Sequence, residues 1–356
     1  MKKYLFIFSL LLMAFLLSTC FSSWGANEGI LSIAWGNTGN SRYFIEQEDL
    51  PNLIYEIILT GPGGKIKREY NGVPQAVFSL TPGNWAITVK GQIRKQYTPG
   101  GDETSPYELK LMGIEQVEVK AGQNPGKVIN MYSAVEADDW WTLYYMATDN
   151  VFDYPEPREY IIVLTDSFET MDCTIGNPQT GLYTVNIERQ ITLVAEKPVT
   201  ITKPNNHIFF NIFNGGCLTL GKEGMTGTIT FEGNNSILGD TNTQIKIERS
   251  SPPMINRLIM NKGITIKNSN GEGIATHPGS IFTMNGGTIS GNDIGVYLIG
   301  TGQSQGKNDG GTFNMNGGTI TGNNIGVYVE PDTNFTQKNG TISGNIDNDI
   351  AYQPVL

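Results

Sequence analysis

Self-similarity constrains this chain more than any other feature. Phe282-Thr283-Met284-Asn285-Gly286-Gly287-Thr288-Ile289-Ser290-Gly291-Asn292-Asp293-Ile294-Gly295-Val296-Tyr297 returns almost unchanged over Phe313 to Tyr328. A worn third copy runs from Phe335 through Asn339-Gly340-Thr341-Ile342-Ser343-Gly344-Asn345. The first two copies are offset by 31 residues and the next by 22. These offsets imply a coil near 22 residues with a nine-residue insertion, and the Gly/Gln/Asn-rich run Gly300 to Gly310 is its expected place. A fixed period of this size is the mark of a solenoid, in which each unit buries its apolar face only against its neighbours.

The periodicity inside each unit decides which solenoid. Apolar clusters are three to five residues long, alternate with period two and stop at Gly or Asn, whereas helical repeats need runs of ten or more. Phe282 and Met284, then Ile289, then Ile294, Val296 and Leu298 form three inward rows, with Phe313, Met315, Ile320, Ile325, Val327 and Val329 in the same places one coil later. Stacked about 4.8 Å apart, like residues lie on like residues and make one continuous core. Gly and Asn at the corners supply left-handed backbone angles. Fainter units precede these: Leu258 to Asn268, Cys217 to Leu220 with Gly227 to Phe231, and Gln190 to Val194 with Val199 to Thr202. The sequence predicts a C-terminal right-handed parallel β-helix of about six coils over 159–356. Gln337, standing where Met284 and Met315 stood, and the nearby Asp347 and Asp349 read as a polar stop to the stack.

Upstream, about seven short strands with period-two alternation and Gly/Pro turns occupy roughly 105 residues, predicting an antiparallel β-sandwich over 26–134. Gly61-Pro62-Gly63-Gly64-Lys65 lacks the spacing of a phosphate loop and reads as a hairpin turn. Over 135–158 we expect a capping helix and linker: Asp138 caps a short helix whose Trp140, Leu143, Tyr144 and Ala147 share a face, and Pro155 and Pro157 punctuate the chain beyond it. Those aromatics read as a plug against a core, with a sugar-stacking platform as the alternative.

The N-terminus is an address. Lys2 and Lys3 precede the apolar run Tyr4 to Leu17, which is short for a stable membrane anchor. Leu17-Ser18-Thr19-Cys20 resembles the lipobox of bacterial lipoproteins, although Thr19 stands where Gly, Ala or Ser is usual. That resemblance implies a signal peptide over 1–19, lipidation at Cys20 and attachment to the membrane through that lipid. Cleavage after Gly25 or Ala26 and simple secretion is the competing reading. Either predicts export.

Without Lys2 and Lys3 the chain carries 22 Lys and Arg against 34 Asp and Glu, near −12. Such a surface repels a phosphate backbone, so no nucleic-acid partner is expected, and a carbohydrate or a host protein is the compatible one. Cys173 and Cys217 read as small buried hydrophobes, with a disulfide between them as the alternative. No Cys/His spacing fits a metal, and neither metal nor cofactor is expected.

The Met-Asn-Gly-Gly-Thr-Ile-Ser/Thr-Gly-Asn units are similar to those of repetitive bacterial surface proteins, spirochaete ones among them, of the pectin-lyase-like β-helix superfamily. The resemblance covers about residues 160–356 and is specific over 279–345. It implies the fold; for activity it leaves lyases, hydrolases and adhesins open. Glu272, Asp293, Asp309, Glu330 and Asp332 do not recur at one coil position, so no carboxylate ladder is expected and no catalytic residue is assigned. The corner residues Asn292, Asn323 and Asn345 read as a structural amide stack. Tyr297 and Tyr328 project outward, either as a cross-rung pair or as contacts for a sugar face. The expectation is an exported, surface-anchored, non-enzymatic lipoprotein of the cell envelope or outer membrane that binds a glycan or host ligand. A polysaccharide lyase or glycoside hydrolase, and a structural envelope component, stand as alternatives.

Overall fold

A computed structural model describes residues 28–36, 52–72, 74–94, 107–148, 159–170, 184–203, 208–234, 243–302 and 309–354. Residues 1–19, read above as a signal peptide, lie outside these residues, as do Cys20, Cys173, Pro155, Pro157 and the middle of the insertion, 303–308.

The chain is all-β, with an antiparallel N-terminal region and three long parallel sheets after it. Seven coils build the parallel part, spanning 159–187, 190–212, 217–247, 257–276, 281–298, 312–329 and 334–352. Each coil supplies one strand to each of three faces, and successive coils pair in register. Only about six coils are expected from the repeats because the first, β10 (Glu159–Leu164), β11 (Phe168–Glu169) and β12 (Val185–Ile187), shares none of the later corner residues. Register partners on the first face are 31, 27, 40, 24, 31 and 22 residues apart, so the cross-section stays constant while corner loops absorb every length difference. Thirteen residues separate Leu298 from Thr312 but four separate Val329 from Asn334, which places the nine-residue insertion at the corner between the third and first faces.

Inward rows stack by residue type. Leu193, Leu220, Met260, Met284 and Met315 follow one another through successive register pairs, all fully buried. Beside them Phe282 and Phe313 lie face to face, 4.7 Å apart and 7° from parallel, with Phe335 5.3 Å above. The ring separation is the rung separation. Ile294 and Ile325 depart from expectation. They are only half-buried and share their row with Glu272 and Asn348, because the strand enters the face at the corner, where the row points partly to solvent.

Two corners need left-handed backbone. At the first, Gly263, Gly287, Gly318 and Gly340 hold φ between 84° and 92°; at the second, Asn268, Gly291, Gly322 and Gly344 hold φ between 61° and 73°. Space matters as well as angle: a Cβ on Gly287 would stand 2.6 Å from the Ile264 carbonyl oxygen and 2.6 Å from the Met260 methyl carbon.

The N-terminal region comprises β1 (Gly29–Gly36), β2 (Ile54–Gly61), β3 (Gly64–Asn71), β4 (Gln75–Leu80), β5 (Gly83–Arg94), β6 (Tyr107–Val119), β7 (Gly122–Gln123) and β8 (Lys127–Asn130). Its core is Leu31, Ile33, Trp35, Ile57, Leu59, Trp85, Ile87 and Val89, distinct from that of the coils. β1 pairs antiparallel with β4 but parallel with β7 and β8. The tight Gly61 to Gly64 hairpin joins β2 to β3, as read from the sequence.

The two parts are not beads on a string. β9 (Tyr132–Ala137) crosses the expected boundary at residue 134, pairs antiparallel with β6 and parallel with β10, and so fuses one sandwich sheet and the first face into a single twelve-stranded sheet. Leu109, Met112 and Ile114 pack on Ile161, Val163 and Val194, forming a third core at the junction. The Lys90 ammonium donates to Glu196 at 2.7 Å, and the Lys222 ammonium lies 4.3 Å over the Tyr132 ring.

Helix α1 (Trp140–Thr148) follows β9. Asp139, not Asp138, is its cap: the Asp139 carboxylate accepts from the Thr142 amide at 2.6 Å, and its carbonyl accepts from Leu143. Asp138 is one residue too early for a helix that starts at Trp140. Trp140, Leu143 and Ala147 are buried in the same core as the coils, and Trp140 meets Phe209 edge-on at 6.4 Å. The helix thus closes the first coil.

Candidate functional site

With the interior filled by stacked side chains, ligand contacts fall to the outer faces. On the third face Asn186, Asn211, Lys246, Ala275, Tyr297, Tyr328 and Ala351 form one outward row. Strand alternation puts Tyr297 outward between the buried Val296 and Leu298, and Tyr328 outward between Val327 and Val329. The structure therefore brings the two tyrosines together. They are not a flat shelf: their centroids are 5.3 Å apart and the rings stand at 84°.

One carboxylate organises this place. Glu330 accepts a short hydrogen bond from the Tyr297 hydroxyl and a second, at 2.8 Å, from the Gly300 amide at the stem of the insertion. Burial, then the Glu330 bond and charge, hold the Tyr297 phenol well above its ordinary range. Thr301 and the Gly310 amide both donate to Asp332, by its carboxylate at 3.5 Å and its carbonyl at 2.8 Å. The insertion's two stems are thus tied to the turn of the next coil, beside the tyrosines. Sequence reasoning leaves Glu330 unassigned, since its role depends on contacts 30 and 33 residues away. His277 lies one coil nearer the N-terminus. Burial and then the Lys246 charge lower its pKa, with Arg249 adding to the effect and Glu248 opposing it.

The carboxylates of the coils are dispersed. Asp293 accepts from the Asn324 amide at 2.7 Å, Glu272 from Thr243 at 2.5 Å, and Asp349 from the Asn345 amide at 2.8 Å. Glu272 shares its row with Ile294, Ile325 and Asn348 rather than with a second acid. Among the described residues no three His, Cys, Asp or Glu side chains converge.

No protein-family model matches the chain, and no curated protein is detectably similar. The reading of the third face therefore rests on its own geometry.

The remaining candidates separate cleanly. Asn292, Asn323 and Asn345 form a continuous ladder: each side-chain amide donates to the carbonyl oxygen of the next at 3.0 Å. Gln244 extends it downward, donating to Asn292 at 3.1 Å, and Asp349 ends it. These amides are consumed by one another. A second ladder, Asn261, Asn285 and Asn316, runs along the exposed first corner with the same 3.0 Å bonds. Cys217 carries a free, half-buried thiol whose pKa burial raises. Among the described residues no helix is long and apolar enough to cross a membrane.

Proposed function

We propose that this chain is an exported, lipid-anchored surface protein of the pectin-lyase-like β-helix type that binds a glycan or host protein without transforming it. The observation that carries this reading is the Tyr297–Tyr328 pair, held by Glu330 at the root of a corner insertion. Amphipathic, half-buried rings on an outer face, beside a loop that breaks the coil's regularity, are what a recognition surface needs. The net charge favours a neutral glycan or a basic protein patch as partner. The coil acids support the non-enzymatic part of the reading, since Asp293, Glu330 and Asp349 each accept from a structural donor and no two share a row.

Glycan arrays and matrix-protein binding assays with the full chain test the site. Tyr328→Ala is expected to abolish retention while leaving the far-UV spectrum unchanged; binding that survives it would remove the tyrosines from the account. The anchor has a separate test. A fatty acid supplied in culture is expected to label the wild-type protein and not Cys20→Ala, and equal labelling of both would refute lipidation there.

A further inference from the structure

The second face carries an array that the binding proposal does not use. Thr200, Thr230, Thr265, Thr288, Thr319 and Thr341 are successive register partners, one from each of six consecutive coils. Two residues further along each strand lie Thr202, Glu232, Lys267, Ser290 and Thr321, with Ser343 continuing the row. Between the rows, Ile201, Phe231, Ile266, Ile289 and Ile320 are fully buried, so both rows point outward. Coils five to seven present hydroxyls alone: Thr288 with Ser290, Thr319 with Thr321, and Thr341 with Ser343.

The fold does not demand this uniformity. At the same rung spacing, one outward row of the first face reads Gln190, Cys217, Arg257, Ile281, Thr312 and Asn334, and the other reads Thr192, Thr219, Ile259, Thr283, Asn314 and Thr336. That of the third face mixes Asn, Lys, Ala and Tyr. Strand propensity and Thr–Thr pairing enrich threonine on the first face as well, yet there the row is interrupted at Ile259 and Asn314, whereas the second face keeps threonine in every coil from the second to the seventh. None of the six hydroxyls makes a hydrogen bond to another described residue. The second row is broken only at Glu232 and Lys267, which neutralise each other in an ion pair at 3.1 Å.

Each threonine offers a methyl and a hydroxyl, and the rows repeat at about 4.8 Å along the axis and about 6.6 Å across it. In coils five to seven this is a rigid, uncharged, near-rectangular net of comparable dimensions to the oxygen net of an ice plane. Its hydroxyls can hold waters at lattice points while its methyls keep those waters from bonding sideways. Other partners fit less well. The array in coils five to seven has no aromatic ring to stack on a sugar or anchor a protein, and no cation for a phosphate. We propose that the second face adsorbs to ice through a layer of ordered water, independently of the tyrosine pair.

The test is inhibition of ice recrystallisation by the full chain, together with its uptake into a growing ice crystal. The wild type is expected to do both. Thr319→Lys, at the centre of the intact array, is expected to lose both with its melting temperature unchanged, and Tyr328→Ala is expected to keep both. Thr288→Lys serves as a second variant if Thr319→Lys fails to fold. A wild-type chain without ice activity, or array variants as active as wild type, would overturn the proposal. So would retention on crystalline cellulose or chitin that the array variants lose while wild type ignores ice, since the ligand would then be polysaccharide.

Discussion

Phe313→Ala is expected to cost about 3–5 kcal/mol, the range for removing a fully buried aromatic side chain. Phe313 is completely excluded from solvent and stacked on both sides, on Phe282 at 4.7 Å and Phe335 at 5.3 Å. Its neighbours cannot collapse into the space, because their positions are fixed by the backbone pairing of coils five, six and seven. The cavity therefore persists, and its full cost with it. Urea titration followed by far-UV circular dichroism measures the loss. Phe335→Ala is the informative companion: its ring lies in the half-exposed last coil, so it forfeits contact on one side and should cost clearly less. Equal costs would mean that coil seven is covered by something in solution. In a stack where each coil touches only its neighbours, the Phe313 variant should also unfold its last coils ahead of the rest, splitting one transition into two.

How much of this was legible beforehand depends on where each feature's cause lies. The coils were readable because their cause is local: apolar residues at period two and Gly or Asn at every corner, repeated until Phe282 and Phe313, or Met284 and Met315, could be aligned by eye. The first coil opens where expected, at 159, but its second and third strands escaped because β11 is two residues long and β11 and β12 are separated by 15 residues without repeat character. The junction escaped for a different reason. β9 has no period or turn that marks it as a bridge; it becomes one only when β6 and β10 flank it. The extent of β3 beyond its hairpin turn was not legible, because Gly64-Lys65-Ile66-Lys67-Arg68-Glu69-Tyr70-Asn71 is a mostly exposed edge strand whose charges hide its alternation. The tyrosine pair could be placed from the repeat, yet its perpendicular rings and its tie to Glu330 could not, since both depend on side-chain contacts between coils. The threonine rows were present in the aligned repeats at Thr288, Thr319 and Thr341, but extending them to Thr200 needs the register of the irregular coils.

Asn323→Ala should cost about as much as Phe313→Ala, although it removes only an amide. Asn323 is fully buried, and its carbonyl oxygen accepts from both the backbone amide and the side-chain amide of Asn292, each at 3.0 Å. Its own amide donates to Asn345 at 3.0 Å and to the Ile289 carbonyl at 3.2 Å. Alanine leaves those buried donors and acceptors without partners, each at a cost of about 1–3 kcal/mol, so a total near 3–5 kcal/mol is expected. The exposed ladder supplies the control within the same molecule. Asn285 accepts from Asn316 and donates to Asn261, both at 3.0 Å, and it stands open to solvent. Water can replace its bonds, so Asn285→Ala should cost less than about 1 kcal/mol. Two variants thus delete the same group from the same kind of ladder, and burial together with the two backbone bonds of Asn323 separates them. If urea titration gave equal losses, the ladders would owe their strength to cooperative polarisation along the row rather than to exclusion of water. A large loss at Asn323 beside a small one at Asn285 would instead assign the buried column the task of fixing coil spacing at the second corner, the corner at which the threonine face ends.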